Sequence, residues 1–341
     1  MTTIYLVRHG EAEGNIFRRF HGQYNSLLTP RGYQQVERVS KRFENIHLDA
    51  CYSSDLTRTS LTARSVYIPQ KLPLRRDPRF REVHVGRWED VPYGYLNIFE
   101  ADQMHRFSYD PENWFVEGGE LFEAHTQRFL EGLTAAAENF DGGTIAVFSH
   151  GALIRNTLFR LFFRDDISDL KYSDNTGVCK LIYHNGSFTY DFLNDNSHIP
   201  QELSTHYIQR WWRDTGKRRE SSVYFKPVSQ TRLPPELKIP DGDVQIAAIL
   251  CDACVGVISL GNAEGSRGTI LGMELLDGFD GRYYGDQMLG EAFSHFRLLG
   301  CKELYLAPGI YPDDLTDRYG FNTESRRISI DADAFCWEPE E

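Results

Sequence analysis

Two short apolar runs of this chain end in the same way: Ile4 to Val7 stops at Arg8-His9-Gly10, and Thr144 to Phe148 stops at Ser149-His150-Gly151. A brief apolar run closed by polar residues reads as a buried strand. Helical patterns follow both. Thr29 as N-cap and Pro30 in the first turn precede Val36, Val39 and Phe43, and Ala152 to Phe163 forms the second. Buried strands alternating with helices specify a parallel sheet covered on both faces. The loops at the carboxyl ends of such strands share one crevice. His9 and His150, far apart in the chain, are therefore expected to meet.

Further elements extend the pattern. Ala50 to Ser53 reads as another strand, followed by a helix through Asp55 to Ala63, and Phe122 to Asn139 carries a long helical pattern. Val178 to Tyr183 and Ser187 to Leu193 flank His184-Asn185-Gly186, whose Asn-Gly suits a tight antiparallel hairpin. A first domain spans residues 1 to 195. Residues 196 to 243 read as a polar, proline-containing linker in which Trp211-Trp212-Arg213 mark a packing helix. Beyond it lies a second, smaller mixed α/β domain, residues 244 to 341, with its start as early as about 205. Its strands are Gln245 to Cys251, Val255 to Leu260, Thr269 to Leu276 and Glu303 to Ala307, with a helix from Gly285 to Leu299. A length of 341 residues accommodates about two such domains.

Composition narrows the partners. Lys and Arg number 37 against 49 Asp and Glu, a net charge of -12 that opposes the phosphate attraction nucleic-acid binding relies on. No run approaches the roughly 18 apolar residues of a membrane span, and the N-terminus lacks a cleavable leader pattern. The expectation is a cytoplasmic protein with neither nucleic-acid nor membrane partner; its oligomeric state is not readable. Six cysteines are too few for a disulfide scaffold. Cys251 and Cys254 form a CxxC without the second pair that a zinc ribbon needs, so they read as structural residues at a hairpin tip. No Asp, Glu and His cluster has metal-ligand spacing.

Arg8 precedes one of the converging histidines, and Arg58 opens the helix after another strand. Two guanidiniums and two imidazoles around one point would hold a dianion, because the planar arginine fork matches phosphate oxygens and stays charged. Neighbouring arginines disfavour the imidazolium form of His9 and leave a nitrogen lone pair for attack on phosphorus. Phosphoryl transfer asks chiefly for in-line positioning and neutralised oxygens, which Arg8, Arg58 and His150 supply without a cofactor.

Five ordered blocks carry a family resemblance. They are Leu6-Val7-Arg8-His9-Gly10-Glu11 with Asn15, Leu28-Thr29-Pro30-Arg31-Gly32, Tyr52 to Thr59, Arg81-Glu82 with Gly86-Arg87-Trp88-Glu89, and Phe148-Ser149-His150-Gly151. Over residues 1 to 195 the chain resembles the phosphoglycerate mutase-like branch of the histidine phosphatase superfamily, a three-layer α/β/α fold. The resemblance implies that His9 becomes a phosphohistidine, that Arg8, Arg58 and His150 hold the phosphoryl group, and that Glu82 protonates the leaving oxygen. Glu11 and Glu89 compete with Glu82 for that role. A raised pKa would suit Glu82, which must act first as acid and then as base. Asn15, His21, Gly22, Gln23 and Gly151 fall where the family lines its phosphate and substrate pocket. Asn25-Ser26-Leu27-Leu28-Thr29 departs from the family's Asp-x-Pro-Leu-Thr. The substrate implied is a small phosphorylated metabolite, with water as acceptor; a mutase, passing the group to a second hydroxyl, is the alternative.

Residues from about 205 to 335 are similar to the GCN5-related N-acetyltransferase fold. The similarity rests on Val255 to Leu260, Ile270 to Leu276, Gly281 to Gln287 and Arg318 to Phe321. It implies acetyl-CoA held near Arg282 and Gly285 by the amides of a helix start, or even acetyl transfer as the main activity. Gln287 stands where a small residue is usual and Thr316 where a tyrosine is usual.

Overall fold

A computed structural model describes residues 1–170, 173–210, 216–279, 281–308 and 318–334. The chain divides into two compact units. The first comprises Met1–Ala12, Gly22–Glu89 and Asp102–Arg210, and the second comprises Glu13–His21, Asp90–Ala101 and Trp211–Glu341. The first unit thus runs on to Arg210, and two stretches from the early part of the chain belong to the second unit.

The first unit is built on a six-stranded sheet in the order Leu74–Arg76, Ala50–Ser53, Thr144–Ser149, Thr2–Arg8, Val178–His184, Ser187–Asp195. The first four strands run parallel, Val178–His184 runs against them, and Ser187–Asp195 pairs antiparallel with Val178–His184. As expected, Asn185 and Gly186 turn the final hairpin with φ of 48° and 80°. Successive side chains of Thr2–Arg8 point to opposite faces. Val7 packs with Val39 and Phe43 of the Pro30–Phe43 helix and with Ala63 and Val66 of Thr57–Tyr67. Ile4 and Leu6 are as fully buried on the other face, where Phe122–Glu138 and Gly151–Phe162 pack together and against this strand. The Pro30–Phe43 helix begins as the sequence predicts: Thr29 Oγ1 accepts the Gly32 N–H at 3.0 Å.

The second unit has a six-stranded sheet ordered Arg327–Ser329, Glu303–Leu306, Arg267–Leu275, Ala253–Leu260, Val244–Leu250, Tyr224–Pro227. All pairs are antiparallel except Arg267–Leu275 with Glu303–Leu306, which the Asp286–Leu298 helix connects. Tyr224–Pro227 lies inside the stretch read as linker. Cys251 does sit at a hairpin tip, with φ of 55°. The core is completed from the start of the chain: the ring of Phe17, on the short Glu13–Phe17 helix, packs edge-on 5.0 Å from Phe293 and tilted 5.6 Å from Tyr319. Trp211, Trp212, Arg213 and Thr316 lie outside the described residues. Among the described residues no helix is long and apolar enough to cross a membrane.

Candidate active site

The sheet register sets the site. Thr2–Arg8 pairs in parallel with Thr144–Ser149 so that Arg8 faces Ser149, and each strand delivers its histidine one residue later at the same height. The rings of His9 and His150 stand 5.2 Å apart, centroid to centroid. Both residues are buried, at 6% and 0% exposure.

The tautomer of His9 follows from its neighbour. Its Nδ1 lies 2.7 Å from the Gly10 carbonyl, and a carbonyl only accepts, so Nδ1 carries the hydrogen and Nε2 the lone pair. Gly10 is held in turn by its N–H to Thr62 Oγ1 at 2.9 Å. His150 has both ring nitrogens buried without a hydrogen-bond partner among the described residues. Burial, then the charges of Arg58 and His9, hold its pKa well below the usual imidazole value. His150 is neutral at pH 7 and has a ring N–H to offer an anion.

Arg58, in the first turn of the Thr57–Tyr67 helix, is 2% exposed. Its guanidinium donates to the carbonyls of Tyr24 at 2.9 Å and Gly22 at 2.6 Å. Burial pushes its pKa down to about 10, opposed by the charges of Glu82 and Glu89, so it remains a cation at neutral pH. Gly22 has φ of 49°, and a side chain there would overlap the Glu89 carboxylate. Arg8 donates through Nη1 to the Ser173 carbonyl at 2.6 Å. It lies across the start of the Gly151–Phe162 helix, where a Cβ on Gly151 would come within 3.0 Å of Arg8 Nε. The four groups expected to gather around one anion all lie in this unit, and electrostatic coupling links His150 to His9, Arg58 and Arg8.

Glu82 is placed by the helix that follows His150. Its Oε1 accepts N–H groups from Leu153 at 2.7 Å and Val83 at 3.0 Å, and Oε2 accepts one from Ala152 at 3.1 Å. A helix N-terminus is a natural seat for a carboxylate. Arg128 secures the segment from behind, donating to the carbonyls of Arg79, Arg81 and Glu82 at 2.8, 2.7 and 2.8 Å. The competitors are engaged elsewhere. Glu11 accepts from Thr29 Oγ1 and Thr205 Oγ1, each at 2.7 Å, and Glu89 accepts the amides of Gln23, Tyr24 and Val85. Burial raises the pKa of Glu89, but its oxygens are spent on shaping the loop that binds Arg58.

Gln23 donates to the Glu82 carbonyl at 3.0 Å and so belongs to this site. Asn15 and His21 fall in the second unit, where His21 Nε2 lies 3.7 Å from Asp90 Oδ1. Arg128 had no signal in the sequence beyond its place on a helix, and Thr62 none beyond its helical spacing from Arg58.

Arg282 and Gly285 lie in the wide helical turn Gly281–Gly285, which runs directly into the Asp286–Leu298 helix. Asp286 puts a carboxylate in the first turn, paired with Arg318 at 2.8 Å, and the buried Gln287 side chain accepts the Val223 N–H at 2.9 Å and donates to the Tyr283 carbonyl at 3.3 Å. Asp286 thus sets a carboxylate, neutralised in part by Arg318, beside the Gly281–Gly285 turn.

An α/β protein with two buried imidazoles and two guanidiniums at the carboxyl edge of its sheet has the make-up of a phosphoryl-transfer centre. The chain belongs to the histidine phosphatase superfamily (branch 1), whose model matches residues 4–196. It is 32% identical over 151 residues to a probable phosphoglycerate mutase GpmB of Erwinia tasmaniensis, covering 44% of this chain and 70% of that one. Among solved structures it is similar to Bacillus stearothermophilus YhfR at 30% identity and a TM-score of 0.55, over 59% of this chain and 100% of the other. A mycobacterial glucosyl-3-phosphoglycerate phosphatase shares the fold at 22% identity and a TM-score of 0.52, over 57% of this chain and 99% of that one.

Proposed function

We propose that the first unit is a phosphomonoesterase acting through a phosphohistidine on small phosphorylated metabolites. The observation that carries this reading is the His9–His150 pair, 5.2 Å apart with the His9 lone pair on Nε2. Nε2 attacks phosphorus, a P–N bond forms, and the ester P–O bond breaks in line. Arg8, Arg58 and the neutral His150 bear on the charge of the equatorial oxygens. Glu82 gives its proton to the departing oxygen. Oε2 accepts one amide where Oε1 accepts two, so Oε2 is the oxygen left to carry that proton. Water then attacks, Glu82 takes its proton, and the P–N bond breaks to release phosphate.

Quenching the full chain with alkaline detergent during turnover of p-nitrophenyl phosphate tests the reading. Wild type is expected to trap an acid-labile, base-stable phosphoryl group and His9→Ala none; equal turnover by His9→Ala would overturn it. The likeness to a probable phosphoglycerate mutase favours a second reading, transfer to another substrate hydroxyl. Incubation with 3-phosphoglycerate and a bisphosphoglycerate primer separates the two: hydrolysis yields inorganic phosphate, and a mutase yields the 2-isomer. For the second unit the reading is a module without acetyl transfer, supported by Asp286 and Gln287 at the helix start.

A further inference from the structure

The family match ends at residue 196, yet the first unit continues to Arg210. Two residues of that extension reach buried carboxylates on both sides of the His9 turn. Ser204 Oγ donates to Asp174 Oδ2, and the same carboxylate accepts the His206 N–H at 3.0 Å and the Asn175 N–H at 2.8 Å. Thr205 Oγ1 donates to Glu11 Oε2 at 2.7 Å and accepts from Gln35 Nε2 at 3.0 Å. Gln35 Oε1 in turn accepts the Glu11 N–H at 2.7 Å. Glu11, Asp174, Ser204 and Thr205 are all at most 7% exposed.

What Asp174 fastens is the turn that grips the reacting groups. Ser173 offers its carbonyl to Arg8 Nη1 at 2.6 Å, and the His9 carbonyl accepts from Asn175 Nδ2 at 3.1 Å and the Thr176 N–H at 3.2 Å. Thr176 has φ of 62°, a left-handed conformation that a β-branched residue keeps only when its surroundings hold it. On the far side, Glu11 is two residues beyond His9. The Ser204-Thr205 pair thus ties the turn behind His9 to the residue ahead of it.

We propose that Ser204 and Thr205 are positioning residues for phosphoryl transfer, an outer clamp lying beyond the matched family region that aligns Arg8 and His9; this rests on the phosphohistidine reading above. Removing the Ser204 hydroxyl leaves a buried Asp174 oxygen without that donor, which costs more than the bond itself returns. The turn then relaxes, and displacements of about 1 Å can lower rates of in-line attack on the order of a hundredfold.

The test uses the full chain with Ser204→Ala, Thr205→Val and the double variant. Turnover of p-nitrophenyl phosphate, the rate of phosphohistidine formation and inhibition by orthovanadate are measured alongside thermal melting. Each single variant is expected to lower kcat and phosphohistidine formation about tenfold and to weaken orthovanadate in proportion, with KM little changed. Ser204→Thr, which keeps a hydroxyl, is expected to recover most of the loss. A role confined to capping the Thr205–Gln209 helix, whose Tyr207 N–H also reaches Ser204 Oγ, would lower the melting temperature and leave kcat as in wild type; that result overturns the clamp. Should Ser204→Ala fail to fold, Thr205→Val decides alone. Loss of the phosphohistidine reading shows separately, as wild type forming no phosphoenzyme.

Discussion

Leu153 N–H donates to Glu82 Oε1 at 2.7 Å, so the helix that begins just after His150 also aims the carboxylate expected to protonate the leaving group. One local structure, the strand-to-helix turn at 149–153, therefore sets both the second histidine and the acid. The acid's contribution depends on how badly the leaving oxygen needs a proton.

That dependence makes Glu82→Gln diagnostic. An alkoxide is a poor leaving group without protonation, whereas p-nitrophenolate leaves readily as an anion. Glu82→Gln should slow phosphoenzyme formation from an alkyl phosphate by about 10² to 10⁴-fold and from p-nitrophenyl phosphate far less. Rapid-quench rates across a series of leaving groups give the comparison. A uniform loss across the series would remove Glu82 from the role of acid.

Acid should weaken the fold through buried histidines. His125 is 0% exposed, its Nε2 lies 3.0 Å from Asn156 Nδ2, and burial pushes its pKa down to about 4 from 6.5. The unfolded chain then binds more protons than the folded one once the pH drops below about 6.5. The stability tied to a neutral His125 is present above that pH and is lost progressively as the pH falls toward 4. By pH 5 the loss from this residue is about 2 kcal/mol. Urea titrations of wild type and His125→Gln at pH 7.5 and pH 5 should show a smaller acid loss in the variant; parallel losses would contradict the assignment.

How far the sequence spoke differs from one residue to the next. His9 and His150 were legible because each terminates an apolar run, and strand direction alone then brings them together. Arg58 followed from the strand-to-helix pattern before it. Glu82 was visible only through family likeness, since it sits in irregular chain where no periodicity marks a position and three backbone amides fix it. Ser204 and Thr205 were hidden for a different reason: the polar, proline-bearing stretch around them has the composition of a linker, and composition does not reveal which hydroxyl meets a buried carboxylate. The contribution of residues 13–21 and 90–101 to the second unit's core was missed because a domain was read as one continuous stretch of chain.

Arg19 is the clearest sign of that exchange. It is 7% exposed and pairs with Asp90 at 2.8 Å and Glu291 at 2.6 Å, with a further bond to Ser294 at 2.9 Å. Arg19→Ala would leave two carboxylates sharing a low-dielectric site, a change that destabilises by about 3 kcal/mol. Arg79→Ala, which breaks a much more exposed pair with Asp77, should cost less than about 1 kcal/mol. Denaturant titrations of the two variants side by side should separate them clearly; equal midpoints would deny Arg19 its structural role.

The second unit should also be indifferent to acetyl-CoA. A ligand present at about a hundred times its dissociation constant stabilises the folded state by about 2.7 kcal/mol, which a thermal melt registers as a shift of several degrees. A pyrophosphate held by the Gly281–Gly285 turn would meet the neighbouring Asp286 carboxylate, although Arg318 neutralises part of that charge. Millimolar acetyl-CoA or coenzyme A is therefore expected to leave the melting temperature unchanged, and calorimetry to show no saturable heat. Asp286→Asn lowers the local negative charge and gives the sharper comparison. If wild type shows saturable binding that Arg282→Ala abolishes, the charge argument at this helix start fails and the acetyl-CoA site expected at Arg282 and Gly285 is restored.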